Sequence, residues 1–396
     1  MPTAAEPKGI RHEQRVSLAE IAVVFLKLGT TAFGGPAAHI AMMEDEFVTR
    51  RGWLSHQEFL DRLGAANLIP GPSSTEMAIY IGLNKAGWPG LVVAGACFIL
   101  PAAVLVGLIA AAYLRYGSLP QVAGVLYAVK AVVIAIILQA FWKLAQSAVK
   151  NRWLAAIGLL SAVLAFLATS NLLILAIAGA LGAAPQLHKR SGTSNRLPGV
   201  TWLSSSKVSA GLLAMSAGSI PSLAGLFLTF LKIGSVLFGS GYVLLAFLRS
   251  DFVVRLHWLT EKQLLDAVAV GQVTPGPVFT TATFIGSLLG GIPGAVVSTV
   301  GIFIPGFILV AISGPIIPHI RRSALASAAL DGVIVGSLAL MGVVTWQLAK
   351  AALVDPITII IAVVSAILLI AYRINTAWLI AAAAVVGMIV HALPRI

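Results

Sequence analysis

With 396 residues, 59% of them hydrophobic and 10% charged, and a mean hydropathy of +0.97, this chain is too apolar to cover a water-facing surface. Its Leu-, Ala-, Val-, Ile- and Gly-rich runs lack the polar–apolar alternation of a transmembrane β-barrel, so the expected class is an all-α polytopic membrane protein. The net charge of +12 comes from Lys and Arg scattered among loops without interleaved aromatics, which suits anionic membrane lipid and argues against nucleic acid.

In chain order, residues 1–19 are polar and carry Lys8, Arg11 and Arg15 ahead of the first apolar run. That run holds Glu20 and Lys27 and lacks a small-residue cleavage pattern, so no removable signal peptide is read and a cytoplasmic N-terminus is predicted. A first helix over about 18–33 is broken by Phe33-Gly34-Gly35-Pro36, because Pro starts a helix well but cannot sit inside one without losing a hydrogen bond. A second helix runs from Pro36 to about Arg51, where Glu44, Asp45, Glu46, Arg50 and Arg51 form an interfacial charged face. Ser55-His56-Gln57-Glu58 reads as a capping box. The third helix runs to Asn67, breaks at Pro70-Gly71-Pro72 and resumes through Ser73-Ser74-Thr75-Glu76, with Asp61 and its later counterpart Asp266 expected to anchor the same surface. Gly90–Leu114, Val122–Gln139 and Pro356–Tyr372 have the length and near-absence of charge of spanning helices. The single cysteine, Cys97, excludes an internal disulfide and a multi-cysteine metal site, and no cofactor is expected.

The chain also repeats itself. Phe25-Leu26-Lys27-Leu28-Gly29 recurs as Phe230-Leu231-Lys232-Ile233-Gly234, a shift of 205, and 17 of the 48 positions from Phe25 to Pro72 are identical at that shift. Trp53-Leu54 meets Trp258-Leu259, Asp61 meets Asp266, and Pro70-Gly71-Pro72 meets Pro275-Gly276-Pro277. With one residue deleted, Gly82 meets Gly286, Pro101 meets Pro305 and Trp142 meets Trp346. The domains read as a first transporter repeat over 1–186, a polar linker with a short apolar segment over 187–221, and a second repeat over 222–396, with about 10–13 membrane segments in all. Basic residues sit mostly after the second long span of the first half (Lys143, Lys150, Arg152, against Arg115) but after the first long span of the second (Arg321, Arg322, against Lys350). If Lys and Arg prefer the cytoplasm, the halves are inverted repeats, with broken or re-entrant helices.

Breaks of this kind expose backbone N–H groups at the start of each new segment, at the positive end of the helix dipole. Two breaks per half would bring four helix starts to one anion cavity, built from Gly34, Gly35, Pro36, Pro70, Gly71, Pro72, Ser73, Ser74, Thr75, Gly239, Ser240, Gly241, Pro275, Gly276, Pro277, Thr280 and Thr281. Otherwise the Gly and Pro merely kink spanning helices. Lys27 and Lys232 could neutralise a dianion between the halves, or snorkel to the nearer interface. Glu76, whose counterpart is Thr280 or Thr281, is a proton-carrier candidate or a carboxylate satisfied at a helix start. His39 is a site candidate or a packed histidine, and Asp331 reads as a cap.

At Phe33-Gly34-Gly35-Pro36-Ala37-Ala38-His39, Trp53 to Glu58-Phe59, Pro70-Gly71-Pro72, Tyr80-Ile81-Gly82 and their second-half counterparts, the chain resembles the chromate ion transporter family in its long, two-domain form. The resemblance implies chromate efflux across the inner membrane, driven by protons as an antiporter, halves of opposite orientation, and competition by sulfate. Gly239-Ser240-Gly241 departs from the first-half pattern by lacking the Pro and the His, so the two breaks are not expected to contribute equally. The alternatives are a sulfate or other oxyanion carrier, a membrane-embedded enzyme and an assembly subunit. The dispersed histidines and the absence of a nucleophile elbow argue against an enzyme. A homodimer is left open.

Overall fold

The computed structural model describes residues 16–33, 35–117, 119–167, 169–191, 221–238, 241–372 and 374–392. α1 (Leu18–Thr31) starts at Ser17, whose hydroxyl accepts the Glu20 N–H, and stops where Ala32 turns extended. α2 (Gly35–Glu44) runs back beside it and passes into a π-helical turn, Asp45–Arg50. Two contacts fix the reversal: Phe25 packs on Phe47 with ring centroids 5.2 Å apart, and Arg51 pairs with Glu20 at 2.6 Å. Fourteen helical residues reach about 21 Å, short of the roughly 30 Å hydrocarbon core, so this pair is a re-entrant hairpin that enters and leaves by one face.

α3 (His56–Ala66) goes in a second time from a complete Ser55–Glu58 capping box, and α4 (Ser73–Tyr116) begins where it stops. α4 is not one rod. Ala86 and Gly87 leave helical angles, with Gly87 at φ 65°, and the chain folds back on itself. A Cβ on Gly82 would lie 2.2 Å from the Gly90 carbonyl oxygen, so only glycine allows the two limbs to touch there. Residues 73–85 thus return to the face where α1 begins, and the Val16 N–H donates to the Lys85 carbonyl at 3.3 Å. Residues 88–116 then cross the membrane, α5 (Pro120–Ala148) crosses back, and α6 (Arg152–Phe166) and α7 (Asn171–Ser191) complete the half.

The second half repeats each device. It contains α8 (Leu223–Val236), a 3₁₀ turn (Gly241–Val243), α9 (Leu244–Leu248), a π turn (Arg249–Arg255) and α10 (Glu261–Val273). A 3₁₀ turn (Val278–Thr280) then leads to α11 (Thr281–Arg322), α12 (Ala324–Ala352), α13 (Pro356–Ile370) and α14 (Thr376–Ala392). Phe230 packs on Phe252 at 4.9 Å, Thr260–Gln263 forms the capping box, and the reversal falls at Gly290–Gly291.

Equivalent helices of the two halves pack antiparallel. Tyr80, in the short first limb of α4, bonds to Ser313 in the crossing limb of α11, and Tyr113 in the crossing limb of α4 meets Phe284 in the short limb of α11, rings 5.3 Å apart, so each half's short limb lies beside the other's crossing limb. Tyr127, early in α5, bonds to Asp355 just beyond α12, and Lys150 just beyond α5 pairs with Asp331 early in α12 at 2.8 Å. Counterparts running in opposite directions make these inverted repeats. The halves also exchange helices: α6 and α7 pack on α12, and α13 and α14 pack on α5. Leu100, Val104 and Leu108 on one ridge of α4, and Ile360, Val364 and Ile367 on α13, are exposed, as lipid-facing residues must be.

Several expectations need correction. The run Pro356–Tyr372 does not span as one helix, since α13 holds 15 residues, about 22 Å, whereas α1 to α3 are short and reverse at their breaks as expected. Asp331 is not a cap but lies two turns into α12, paired with Lys150. Asp266 does not anchor a surface, since it is fully buried. α7 continues as helix to Ser191, past the expected boundary at 186, and the rest of the polar linker with Val208–Ile220 lies outside the described residues.

Two outcomes follow from this topology. In a Cys97→Ser background, Gln57→Cys and Lys262→Cys, equivalent exposed positions in the first turns of α3 and α10, should react with a membrane-impermeant thiol reagent from opposite sides; reaction from one side alone contradicts inversion. Gly82→Ala should lower the melting temperature in detergent strongly, whereas Gly107→Ala, whose Cβ meets no atom within 4 Å, should be neutral or stabilise by up to about 1 kcal/mol.

Candidate functional site

The breaks of the two halves are joined to each other. Where α1 stops, the Ala32 carbonyl accepts the Gly276 N–H at 2.9 Å, and where α8 stops, the Leu237 carbonyl accepts the Gly71 N–H at 2.8 Å. These are the same bond written twice, because 32 and 237, like 71 and 276, differ by 205. Gly71 (φ 137°) and Gly276 (φ 93°) hold angles that an L side chain rarely adopts. A Cβ at Gly276 would also lie 2.8 Å from Ala102 Cβ. Each Pro-Gly-Pro therefore stops one helix, starts the next and delivers one N–H to the opposite half.

The depth is central. Gly29 of α1 packs on the Phe98 carbonyl so closely that a Cβ would approach to 2.7 Å, and both residues lie about 15 Å into their helices, near half of a hydrocarbon core. Around this level the starts of the new segments converge. A Cβ on Gly241 would lie 3.8 Å from Pro36 Cγ, 3.8 Å from the Phe279 ring and 3.9 Å from Val278 Cβ. His39, buried on α2, joins the remaining start: its Nε2 lies 3.1 Å from the Ala32 carbonyl and its Nδ1 3.3 Å from Ser74 Oγ. A carbonyl can only accept, so Nε2 carries the proton and Nδ1 accepts from the Ser74 hydroxyl. His39 is thus packed, edge-on to Phe98, and also positions the first turn of α4.

The hydroxyls differ between halves. Thr280 and Thr281 are buried and donate to the Pro277 and Val278 carbonyls of their own turn, each at 2.8 Å. In the first half, Thr75 Oγ1 and both Glu76 carboxylate oxygens are buried with no hydrogen-bond partner. Glu76 presses against Gly71, where a Cβ would fall 2.2 Å from its Oε1, and faces Gly306 of α11. Removing an unpaired carboxylate charge from water costs several kcal/mol, and no described residue offsets that cost. Ser73, Pro70, Pro72, Pro275 and Pro277 shape the breaks, while Gly34, Gly239 and Ser240 lie outside the described residues.

The two lysines are not a matched pair at the centre. Lys232 bonds Asp251 of the π turn at 2.6 Å, and Arg255 shares that carboxylate at 2.9 Å. Lys27 is exposed on α1, and the first-half counterpart of Asp251, Glu46, pairs instead with Arg51 at 2.7 Å. A cavity of about 650 Å³ reaches Phe33 and Ala38 at the first break, walled by Gln139 and Lys143 of α5 and by Asn375 and Thr376. The sequence reading missed this role for Lys143. It also missed Lys130, which pairs with buried Asp266 at 2.6 Å, although a lone Lys inside the apolar run Val122–Gln139 was a visible signal.

No solved structure matches the chain. It is 31% identical to a chromate transport protein of Cupriavidus metallidurans over 383 residues, covering 95% of this chain and 94% of that one. It is 32% identical to a probable chromate transport protein of Synechococcus elongatus over 360 residues (89% of each chain), and 32% identical to a chromate transport protein of Pseudomonas aeruginosa over 332 residues (82% and 80%). The family described as chromate transporter matches twice, at residues 19–183 and 224–388, once on each inverted half. A multi-pass helical membrane protein with that double match and those relatives belongs to the chromate transporter family.

Proposed function

We propose that this protein exports chromate from the cytoplasm across the inner membrane, coupled to protons, through one site between its inverted halves. The observation that carries this reading is the reciprocal pair of bonds, Gly71 to Leu237 and Gly276 to Ala32, which gathers helix starts from both halves at central depth. The first N–H groups of a helix have no partner within it, and with the dipole behind them they suit a compact dianion without needing a cationic side chain. Thr75 supplies a free hydroxyl beside them, and Lys143 places a positive charge in the cavity that leads inward.

Glu76 is the proton carrier in this reading. It is the one carboxylate at the breaks, it is unpaired, and a neutral Thr stands at the equivalent position. Sidedness follows from charge. Arg50, Arg51, Lys85, Lys143, Lys150 and Arg152 lie towards the face where α1 begins, against Arg115, Arg249, Arg255, Lys262 and Lys350 towards the other, a narrow excess that supports a cytoplasmic N-terminal face. The cavity with Lys143 then opens to the cytoplasm. Backbone N–H groups read charge and tetrahedral shape and not the central atom, so sulfate should compete for the same site.

Inverted membrane vesicles should accumulate radiolabelled chromate when their interior is acid, lose that accumulation when the gradient is collapsed, and show inhibition by sulfate. Absence of gradient-dependent accumulation would sink proton-coupled export. Glu76→Gln should abolish the dependence on the gradient while chromate still exchanges down its own gradient. An unchanged pH dependence in that variant would remove Glu76 from the coupling.

A further inference from the structure

The two breaks are held in different states. At the first break, Asn375 lines the open cavity, and its side chain accepts the Ala377 N–H of its own helix at 2.9 Å. The equivalent residue of the first half, Asn171 (a shift of 204), instead reaches across to the second re-entrant hairpin and donates to the Ala246 carbonyl at 3.2 Å. The limbs that lead to the breaks differ in the same sense. On α10, Asp266 is fully buried; Lys130 Nζ of α5 lies 2.6 Å from its Oδ1, and Tyr113 of α4 donates its hydroxyl to Oδ2 at 2.8 Å. On α3, the equivalent Asp61 is exposed and accepts from Gln57 of the same helix at 3.4 Å, and Ile334 stands where Lys130 has its counterpart.

A buried ion pair adds little stability over packed apolar side chains, and its best-attested use is to fix one arrangement against another. Here the pair joins a spanning scaffold helix of one half to a re-entrant limb of the other, on the side away from the open cavity. We propose that Lys130, Asp266 and Tyr113 are positioning residues for transport: they clamp α10 against α4 and α5 and close the second break to the face opposite the start of α1, and release of this triad opens the site to that face. The inference rests on the exporter reading, because it names how a site already open on one face gains access to the other.

The test reads accessibility and not flux, so it is decided independently of which anion is carried or in which direction. Thr274→Cys places a reporter at the second break, where Thr274 is 6% exposed, in full-length Cys97→Ser protein in oriented vesicles. A membrane-impermeant maleimide applied from the face opposite α1 should label the parent slowly. Lys130→Met should speed labelling from that face about tenfold, the change expected when the closed arrangement loses its advantage. Tyr113→Phe keeps the ion pair and should give a smaller increase. Exchanging the charges, Lys130→Asp with Asp266→Lys, should return labelling towards the slow rate, which a loss of packing alone would not do. Unchanged labelling in Lys130→Met and Tyr113→Phe proteins that insert normally overturns the proposal. If Lys130→Met does not insert, the doubly truncated Lys130→Ala/Asp266→Ala protein, which removes the contact without replacing it, carries the same measurement, and unchanged labelling there overturns it equally.

Discussion

Inside a bilayer a backbone N–H or carbonyl without a partner costs several kcal/mol, so a helix that stops at central depth must find its missing bonds in the protein. Here the carbonyl left open at the end of α1 is closed by Gly276, and the one left at the end of α8 is closed by Gly71. Neither donor belongs to the half it serves. The bond pair sets the two Pro-Gly-Pro segments face to face across a two-fold axis, and the antiparallel packing of α5 on α12 lays that axis in the membrane plane. Each half would bury an unsatisfied break if it folded alone. The same exchange that satisfies the backbone sets four helix starts about a common point, so the stability requirement and the geometry of the proposed anion site have one origin.

The surrounding architecture distributes rigidity around that point. The re-entrant hairpins lie against the crossing parts of α4 and α11 through glycines that admit backbone contact, Gly29 on Phe98 and Gly234 on Ile302. Small residues at such contacts let helices approach where no hydrophobic drive exists between helix and lipid. Outside them, α5 and α12 each carry the terminal helices of the other half, and the Tyr127–Asp355 and Lys150–Asp331 contacts tie the ends of that exchange. The crossing helices are therefore interlocked, whereas α3 and α10 are short limbs that stop at the breaks, α10 being held also by the Asp266 pair. Movement that exposes the centre to one face or the other falls most easily on those limbs.

The parts of this plan that were legible in the sequence are those encoded by local chemistry at fixed offsets. The repeat, the Pro-Gly-Pro breaks and both capping boxes needed no partner from elsewhere in the chain to be recognised. Re-entry was harder to separate from crossing, because an apolar limb that turns back at central depth has the same composition as half of a spanning helix. The reversal at Gly87 was missed although Pro89 follows it and Pro293 repeats the pattern: a Pro within an apolar run reads equally as a kink, and what requires glycine at Gly82 and Gly90 is the touch of two limbs. Lys232 read as a free charge because its partner Asp251 lies 19 positions away and is aimed at it by a π turn. Lys130, Asp266 and Tyr113 come from three elements and become neighbours only once the halves interlock, so no spacing rule could join them.

Duplication followed by divergence explains why a symmetric frame carries asymmetric chemistry. The two-fold bonds at the breaks use backbone atoms, so they survive any side-chain change that leaves the glycines in place. Side chains were free to differ. At the first break Glu76 and Thr75 keep unpaired polar atoms, whereas at the second Thr280 and Thr281 turn their hydroxyls back onto their own carbonyls. A second buried carboxylate facing Glu76 across the axis would repel both it and any dianion between them, so a single acidic residue is the arrangement that proton and oxyanion chemistry can share. The buried charge of the second half lies further out, in the pair of Lys130 and Asp266, where it is compensated and, in the proposed clamp, acts on the position of α10. In the proposed mechanism the first half thus supplies the polar atoms that meet the cargo, and the second supplies the closure.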